Sequence, residues 1–333
     1  VDVEYISGFR SSNAFLLVNA GKALLATDFR YREQARKHCE ENPPWQFVEI
    51  REMSTNFILE NTAKGNRIGY QSDQMTVDQL QLMRKRVTGV RFIPLSGAVS
   101  DISLTKLDNE LKLIRRAARI GDRAYKMWLE SLREGLTERE SAKLLERYCS
   151  DLGSDGPSFA TIVLFGSRSA LPHGTPGGRR LKRGDFVLCD FGCTIRGFCS
   201  DMTRTAVMGI ANDLQKRMYA AVAAGQTNAR RRVKAGLASK TVDEYARSVI
   251  RDEGFGEYFG HATGHGVGLR IHERPRISAT DPTQLRERMV ITIEPGIYIP
   301  ETGGVRIEDM LAVTKDGAQL LTHTPRALVE VAV

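Results

Sequence analysis

Apolar side chains recur at steps of four and three at Leu107, Leu111, Ile114, Ala118, Gly121, Tyr125, Trp128 and Leu132, the spacing that lays one stripe along a helix. The pattern predicts a long helix that opens a second domain after residue 103. Gly135 reads as its C-cap and Thr137 as the N-cap of another helix reaching Leu152, because glycine accepts left-handed backbone and a threonine hydroxyl can take the orphan N–H groups of a first turn. Upstream, Ala14 to Val18 and Lys22 to Ala26 read as short strands joined through Asn19-Ala20-Gly21, and Tyr31 to Glu41 as a helix. That order predicts a small α/β domain over residues 1–103. In the larger domain, 104–333, helix gives way to strand at Ser158 and the chain is strand-rich from Asp185 onward. Helices near Asp213 to Lys234 and Val242 to Glu253 interrupt it, which makes an α+β catalytic domain the natural expectation. No repeat at a period of 20 to 50 residues and no low-complexity segment disturbs this picture.

Two of the strand patterns carry acids at buried positions. Phe186 to Phe191 and Cys199 to Val207 face each other across Gly192 to Phe198. A hairpin symmetric about Ile195 and Arg196 places Asp190 directly opposite Asp201, with Cβ atoms about 4.5 to 5.5 Å apart. Like charges so placed repel unless cations lie between them, and two bridged divalent ions are what two-metal hydrolytic sites use. Met289 to Tyr298 and Gly304 to Met310, flanking the turn-forming Pro300 to Gly304, repeat the device with Glu294 near Glu308. Any one of these acids alone reads best as a solvent-facing strand residue. Together that reading is poor, since Asp190 and Glu294 sit inside apolar runs where an unpaired charge is very costly. Of six histidines, four lie in glycine-rich segments near the acids: His261, His265 and His272 between Gly260 and Glu273, and His173 in Leu171-Pro-His-Gly174. One of the first three is expected to be a ligand.

Composition narrows the class without naming it. The 333 residues are 41% hydrophobic, enough to bury an ample core. No apolar run approaches the roughly 20 residues of a membrane span, and the start lacks the basic flank and apolar stretch of a signal peptide. Five cysteines without zinc or redox spacing suit a reducing compartment, so a cytoplasmic location and no membrane partner are expected. The formal charge of +8 is scattered; Arg230-Arg231-Arg232 and Arg179-Arg180 are short clusters without interleaved aromatics, and nucleic acid is not expected as a partner.

Leu171-Pro-His173-Gly, Asp190-Phe-Gly, Ser200-Asp201-Met-Thr-Arg-Thr, Gly264-His265-Gly-Val-Gly, Ile271-His272-Glu273, Ile293-Glu294-Pro-Gly and Gly304-Val-Arg306-Ile-Glu308-Asp, in this order, resemble the pita-bread metallopeptidases, the family of Xaa-Pro dipeptidase (prolidase), aminopeptidase P and methionine aminopeptidase. The resemblance covers residue 104 to the end, and Tyr5-Ile-Ser-Gly-Phe with Thr27-Asp-Phe-Arg-Tyr looks like the creatinase-like N-terminal domain of the prolidase and aminopeptidase P branch. Only Val1 to Glu4 precede that segment, so the N-terminal domain reads as lacking its first helix and strand. The resemblance implies two divalent ions per chain, manganese or cobalt ahead of zinc or iron. Asp190 would hold one, Asp201 and Glu308 both, and His265 with Glu294 the other. It further implies a metal-bridged water as nucleophile, Glu294 as proton shuttle, His173 and His272 on the scissile amide and its oxyanion, and Arg306 as a partner of the carboxylates. A homodimer is implied as well.

Within that family, Arg276 in His272-Glu-Arg-Pro-Arg276-Ile resembles the prolidase arginine that meets a dipeptide's terminal carboxylate. Hydrolysis of Xaa-Pro bonds in dipeptides is therefore expected, with aminopeptidase P acting on longer proline-containing peptides as the alternative. The bland reading of Arg276 is a surface arginine in a turn. A metal-free creatinase-like hydrolase or an inactive peptide-binding module is more remote, since both usually lose ligands and all five are present here.

Overall fold

The computed structural model describes residues 1–51, 55–63 and 65–332. Two compact units, Val1–Ser103 and Leu104–Val333, divide the chain.

The first unit runs α1 (Asp2–Ser7), β1 (Ala14–Asn19), β2 (Lys22–Thr27), α2 (Arg32–Glu41), β3 (Trp45–Glu49), α3 (Thr55–Asn61), β4 (Arg67–Gln71), α4 (Val77–Arg86), β5 (Arg91–Leu95) and α5 (Ala98–Ser103). The β1–β2 hairpin turns where expected, because the Asn19 side chain accepts from the N–H groups of Gly21 and Lys22. β2 pairs in parallel with β3, and β4 with β5, each pair joined across helix. Buried Phe9, Leu25, Ala35 and Cys39 fill one face of the three-stranded sheet; Leu24, Ala26, Ile50 and Phe57 fill the other.

The second unit opens with α6 (Asp108–Ser131) and α7 (Glu138–Asp151). On α6 the apolar stripe from Leu111 to Trp128 is buried, while Leu107 is exposed just before the first turn. Trp128 is fully buried and its indole N–H donates to Ser141 Oγ at 3.0 Å, so its bulk and its one donor are both satisfied. Thr137 and Glu140 form a reciprocal capping box at the start of α7. Gly135, with φ of 81°, lies in the loop beyond the helix end and donates to Leu181 O, so it shapes the connection rather than capping α6.

Strands follow: β6 (Gly156–Pro157), β7 (Ile162–Phe165), β8 (Phe186–Phe191), β9 (Cys193–Ile195), β10 (Phe198–Cys199) and β11 (Met202–Met208). Ser158 lies between β6 and β7, its hydroxyl within 2.8 Å of both Cys193 O and Ser200 O, so the strand expected there begins four residues later. Helices α8 (Asp213–Arg232) and α9 (Ser239–Asp252) come next. They precede β12 (Gly264–Gly266), β13 (Glu273–Ile277), β14 (Val290–Ile293), β15 (Gly296–Ile299), β16 (Gly303–Arg306), β17 (Asp309–Val313), β18 (Ala318–Leu320) and β19 (Val329–Val331). The larger sheets have orders β19-β11-β8-β7 and β13-β12-β14-β17-β18. α6 and α7 bury their stripes on the first, while α8 and α9 supply Ala229, Val242 and Ala246 to the core beside the second.

The first acidic hairpin differs in register from the sequence expectation. Asp190 is paired with Thr203 and Phe191 with Met202, and Ile195 with Phe198. Arg196 and Gly197 form the turn, with φ of 49° and 81°, the left-handed pair that a tight hairpin matched to strand twist requires. Moving the turn by one residue moves each partner by two. Asp190 and Asp201 are therefore not directly opposed; the period of two still leaves them on one face. Asp201 falls opposite Gly192, where the ladder is interrupted and a Cβ would overlap the Ser200 carbonyl oxygen.

The second hairpin keeps one register through a similar gap. Ile293 pairs with Asp309 and Gly296 with Arg306, which brings Glu294 opposite Glu308 between two ladders. There the backbone N–H of Glu308 donates to Thr203 O and that of Glu294 to Thr263 O. Each acid thus leaves its own hairpin to join a neighbouring segment.

Gly192→Ala is expected to destabilise the metal-free protein by at least about 2 kcal/mol, because the clash is with backbone that no rotamer change relieves. The denaturant midpoint measures it; a wild-type midpoint would mean that the two segments separate at no cost.

Candidate metal centre

The two gapped hairpins and the glycine-rich strand β12 converge on one cavity of about 630 Å³, lined by His173, Asp190, Asp201, His265, His272, Arg276, Glu294, Arg306 and Glu308 among others. Every site residue expected from the sequence is present on its wall. Ligand atoms of Asp201, His265 and Glu308 lie within 4.8 Å of one another, and His265 Nε2 is 3.3 Å from Glu294 Oε1 and 3.5 Å from Asp201 Oδ2.

The segment that leads through Thr263 to His265 is held from behind by α9. Asp243, fully buried, accepts from Arg247 and from the Thr263 hydroxyl, and Arg247 donates to the carbonyls of Phe259 and His261. Next along, His265 Nδ1 lies 3.0 Å from Gly266 O. A proton on Nδ1 satisfies that carbonyl and leaves the Nε2 lone pair aimed at the acids. Burial lowers the imidazole's proton affinity, which favours the neutral, ligating form.

The acids are held close at a cost. Burial first, then the neighbouring carboxylates, raise Asp201 and Glu308 well above the usual carboxylate range. Glu294 is pushed up to about 7, chiefly by burial, with Arg306 pulling the other way. Asp190 Oδ1, Asp201 Oδ1 and Glu308 Oε1 are buried without a hydrogen-bond partner among the described residues. Orphaned anionic oxygens facing a neutral imidazole nitrogen form a donor set for divalent cations of the manganese, cobalt, zinc or iron kind.

One resident cation is already present. Arg306, 3% exposed, donates to Asp190 Oδ2 at 2.6 Å, to Thr203 Oγ1 at 3.0 Å and to Tyr298 Oη at 2.6 Å. The Thr203 hydroxyl donates a hydrogen bond to Glu308 Oε2 at 2.8 Å. Tyr298 in turn lies 3.0 Å from His261 Nε2, and burial lowers that imidazole to about 4. Tyr298 and the place of His261 were not read from the sequence. Their signal was available only as spacing, since Tyr298 lies four residues beyond Glu294 on the same hairpin arm. His173 is exposed at the mouth and Arg276 is exposed on β13, while the His272 ring packs edge-on against His265 with centroids 4.4 Å apart.

The model of metallopeptidase family M24 matches residues 112–315. The chain belongs to metallopeptidase family M24. The creatinase/prolidase N-terminal domain matches residues 1–102, so the architecture is a pita-bread catalytic unit after a creatinase-type unit. An Xaa-Pro dipeptidase of Pyrococcus furiosus is 38% identical, covering 98% of this chain and 92% of that protein. Among solved structures, an Xaa-Pro dipeptidase from Bacillus anthracis has a TM-score of 0.94 at 36% identity over 100% of this chain and 92% of that one. An X-Pro aminopeptidase from Thermotoga maritima reaches 0.91 at 34%, covering 99% and 91%. Fold similarity therefore assigns the family, and structures named for either activity match the chain almost equally well. No described helix is long and apolar enough to cross a membrane.

The raised carboxylates predict how metal and pH act together. Glu294 takes up its proton near pH 7 when folded but only near its ordinary 4.5 when unfolded. Between those values the metal-free folded state holds the extra proton, so its stability falls as pH rises through that window. Cations that bind the ionised cage reverse the loss. The rise in melting temperature on adding metal should be larger at about pH 8 than at about pH 5. Equal shifts by differential scanning fluorimetry would contradict the cage.

Proposed function

We propose that the protein hydrolyses Xaa-Pro peptide bonds, foremost in dipeptides, as a metal-dependent prolidase. The observation that carries this reading is the convergence of orphaned carboxylate oxygens and His265 Nε2 on a cavity whose rim presents the Arg276 guanidinium. Relatives that span nearly the whole chain and bear the name Xaa-Pro dipeptidase support it.

On this reading Asp190, Asp201, His265, Glu294 and Glu308 would hold two divalent cations, Asp201 and Glu308 being shared between them, with manganese or cobalt favoured over zinc or iron. Such ions would supply Lewis acidity and lower the pKa of a coordinated water toward neutrality. The chain's own residues do the rest. Glu294, whose proton affinity is already raised toward neutrality, takes the attacking water's proton and returns it to the departing prolyl nitrogen. His173 and His272 donate to the carbonyl oxygen as it gains charge, work that preorganised donors make worth several kcal/mol. Arg306 balances the charge of Asp190 and fixes Thr203 against Glu308. Arg276 pairs with the proline carboxylate, which in a dipeptide lies one residue beyond the scissile bond. The same reading includes a homodimer in a reducing cytoplasm, in keeping with five free thiols; full activity of a monomer by light scattering would remove the dimer.

An aminopeptidase P activity is the second reading, favoured by the likeness to the Thermotoga maritima enzyme. In a tripeptide the Arg276 position meets a neutral amide and more chain. Ala-Pro should therefore be cleaved in preference to Ala-Pro-Ala by metal-loaded protein. Arg276→Ala should cost about 2 to 4 kcal/mol in kcat/KM for the dipeptide and nothing for the tripeptide. Equal cleavage of both by the wild type, or an equal loss on both, would replace prolidase by aminopeptidase P. Removing the metals, or the carboxylate in Asp201→Ala, should abolish turnover, and full activity in either case would sink the two-metal reading. His272→Ala should lose turnover and keep its metal; arrival without metal would make His272 a ligand.

A further inference from the structure

His272 stands at the end of an irregular connection. β12 stops at Gly266 and β13 begins at Glu273, and between His265 and Gly266 the pairing slips from Arg276 to Glu273. The first half of this connection is tied by backbone: Val267 N donates to Val290 O, and Gly268 O accepts from Cys199 N. The second half, which carries His272, is tied by a side chain. Glu273 Oε1 accepts from Arg270 N at 3.1 Å and Glu273 Oε2 from Lys106 Nζ at 2.7 Å. Its carboxylate fills the space over Gly268 where any Cβ would overlap it.

Lys106 is an unusual place to find an ammonium group. Its side chain is 3% exposed and that of Glu273 is 12%, and burying such a pair costs more than a surface pair returns unless its geometry is held. The geometry is held. Lys106 N donates to Arg288 O at 2.8 Å, and Lys106 O accepts from Arg288 Nε at 2.7 Å, beside the Thr105–Met289 bridge at the root of β14. The backbone of the lysine is thus fixed to the segment that leads into β14 and on to Glu294.

We propose that Lys106 and Glu273 form a positioning pair that sets the His272 imidazole against the metal cage. Resting on the peptidase reading above, the inference adds two residues outside the proposed ligand set, Glu273 on the cavity wall beside His272 and the buried Lys106 paired with it. Lys106 links the β14 root to the residue following His272, so the donor and the proton-shuttling carboxylate share one frame. A lysine lost from this site frees the connection at its catalytic end while leaving every proposed ligand in place.

The test is a mutant cycle on metal-loaded protein. Lys106→Gln should lower kcat on Ala-Pro by about tenfold or more, with KM changed less than about threefold and metal content equal to wild type. Lys106→Arg, which keeps the charge, should recover most of the loss. In the His272→Ala background, Lys106→Gln should cost less than about twofold, because the residue it positions is gone. The same loss in both backgrounds would overturn the proposal, as would wild-type kcat in Lys106→Gln. If Lys106→Gln does not fold, Glu273→Gln carries the same comparison. Amide exchange gives a readout that needs no activity: exchange should quicken across 269–273 in the variant and stay unchanged across 290–293. Absence of Xaa-Pro cleavage by wild-type protein with quickened exchange would count against the substrate reading alone. Unchanged exchange would count against the positioning pair.

Discussion

Repulsion among four clustered carboxylates, Asp201 and Glu308 buried and Asp190 and Glu294 half-buried, is the constraint around which the catalytic unit is organised. Two unit charges about 4 Å apart at an effective dielectric of about 20 oppose each other by roughly 4 kcal/mol, and Asp190, Asp201, Glu294 and Glu308 share one cavity wall. A fold that brings them together must hold them against that force and must leave a means of relieving it. Arg306 relieves part of it permanently, from behind. The oxygens that face the cavity, on Asp190, Asp201 and Glu308, are left orphaned, and protons or cations must do the remainder.

The scaffold meets the first demand by interrupting its own ladders. A continuous antiparallel pair would direct each acid's N–H into its hairpin. Here Glu308 instead bonds Thr203 O and Glu294 bonds Thr263 O, so the two hairpins and the β12 segment are stitched to one another at the acids themselves. Gly192 permits the same close approach beside Asp201. Regular sheet on both sides of each gap keeps the register, and hence the face, of every carboxylate. Burial of α6 against one sheet and of α9 beside the other then fixes the walls; Asp243 on α9 is tied to Thr263, whose carbonyl receives Glu294.

Much of this was legible in the chain because period and chemistry coincide. Acids inside apolar runs, histidines among glycines and two turn-centred repeats pointed to a carboxylate cage, and the motif order to its family. The long helix was legible from Leu111 to Trp128 for the same reason. The register of the first hairpin was not, because the choice between turns at Ile195-Arg196 and Arg196-Gly197 depends on Arg196 adopting a left-handed backbone, which a non-glycine residue seldom advertises. The error changed the partner of Asp190 while preserving its face, so the cage survived it. Tyr298, Thr203 and Lys106 escaped notice for a different reason. Each matters through a contact more than a hundred residues away, or through a hairpin partner, and leaves no local period.

The cage and the rim are carried by different parts of the second unit, and that separation bears on specificity. The carboxylates belong to β8, to the approach to β11, and to the gaps flanking β14 and β17, where a displacement would change the charge balance of all four. Arg276 belongs to β13, the outermost strand of its sheet, with its side chain exposed and its backbone N–H tied to Asp281. An edge strand can exchange a rim side chain without disturbing the hydrogen bonds that fix the acids. On the proposed reading chemistry and peptide length are thereby decoupled: one hydrolytic centre would serve a dipeptidase or an aminopeptidase according to what the β13 edge presents to the peptide. Relatives named for either activity match this fold almost equally well, so the proposed preference for dipeptides rests on the exposed Arg276 guanidinium and not on overall similarity.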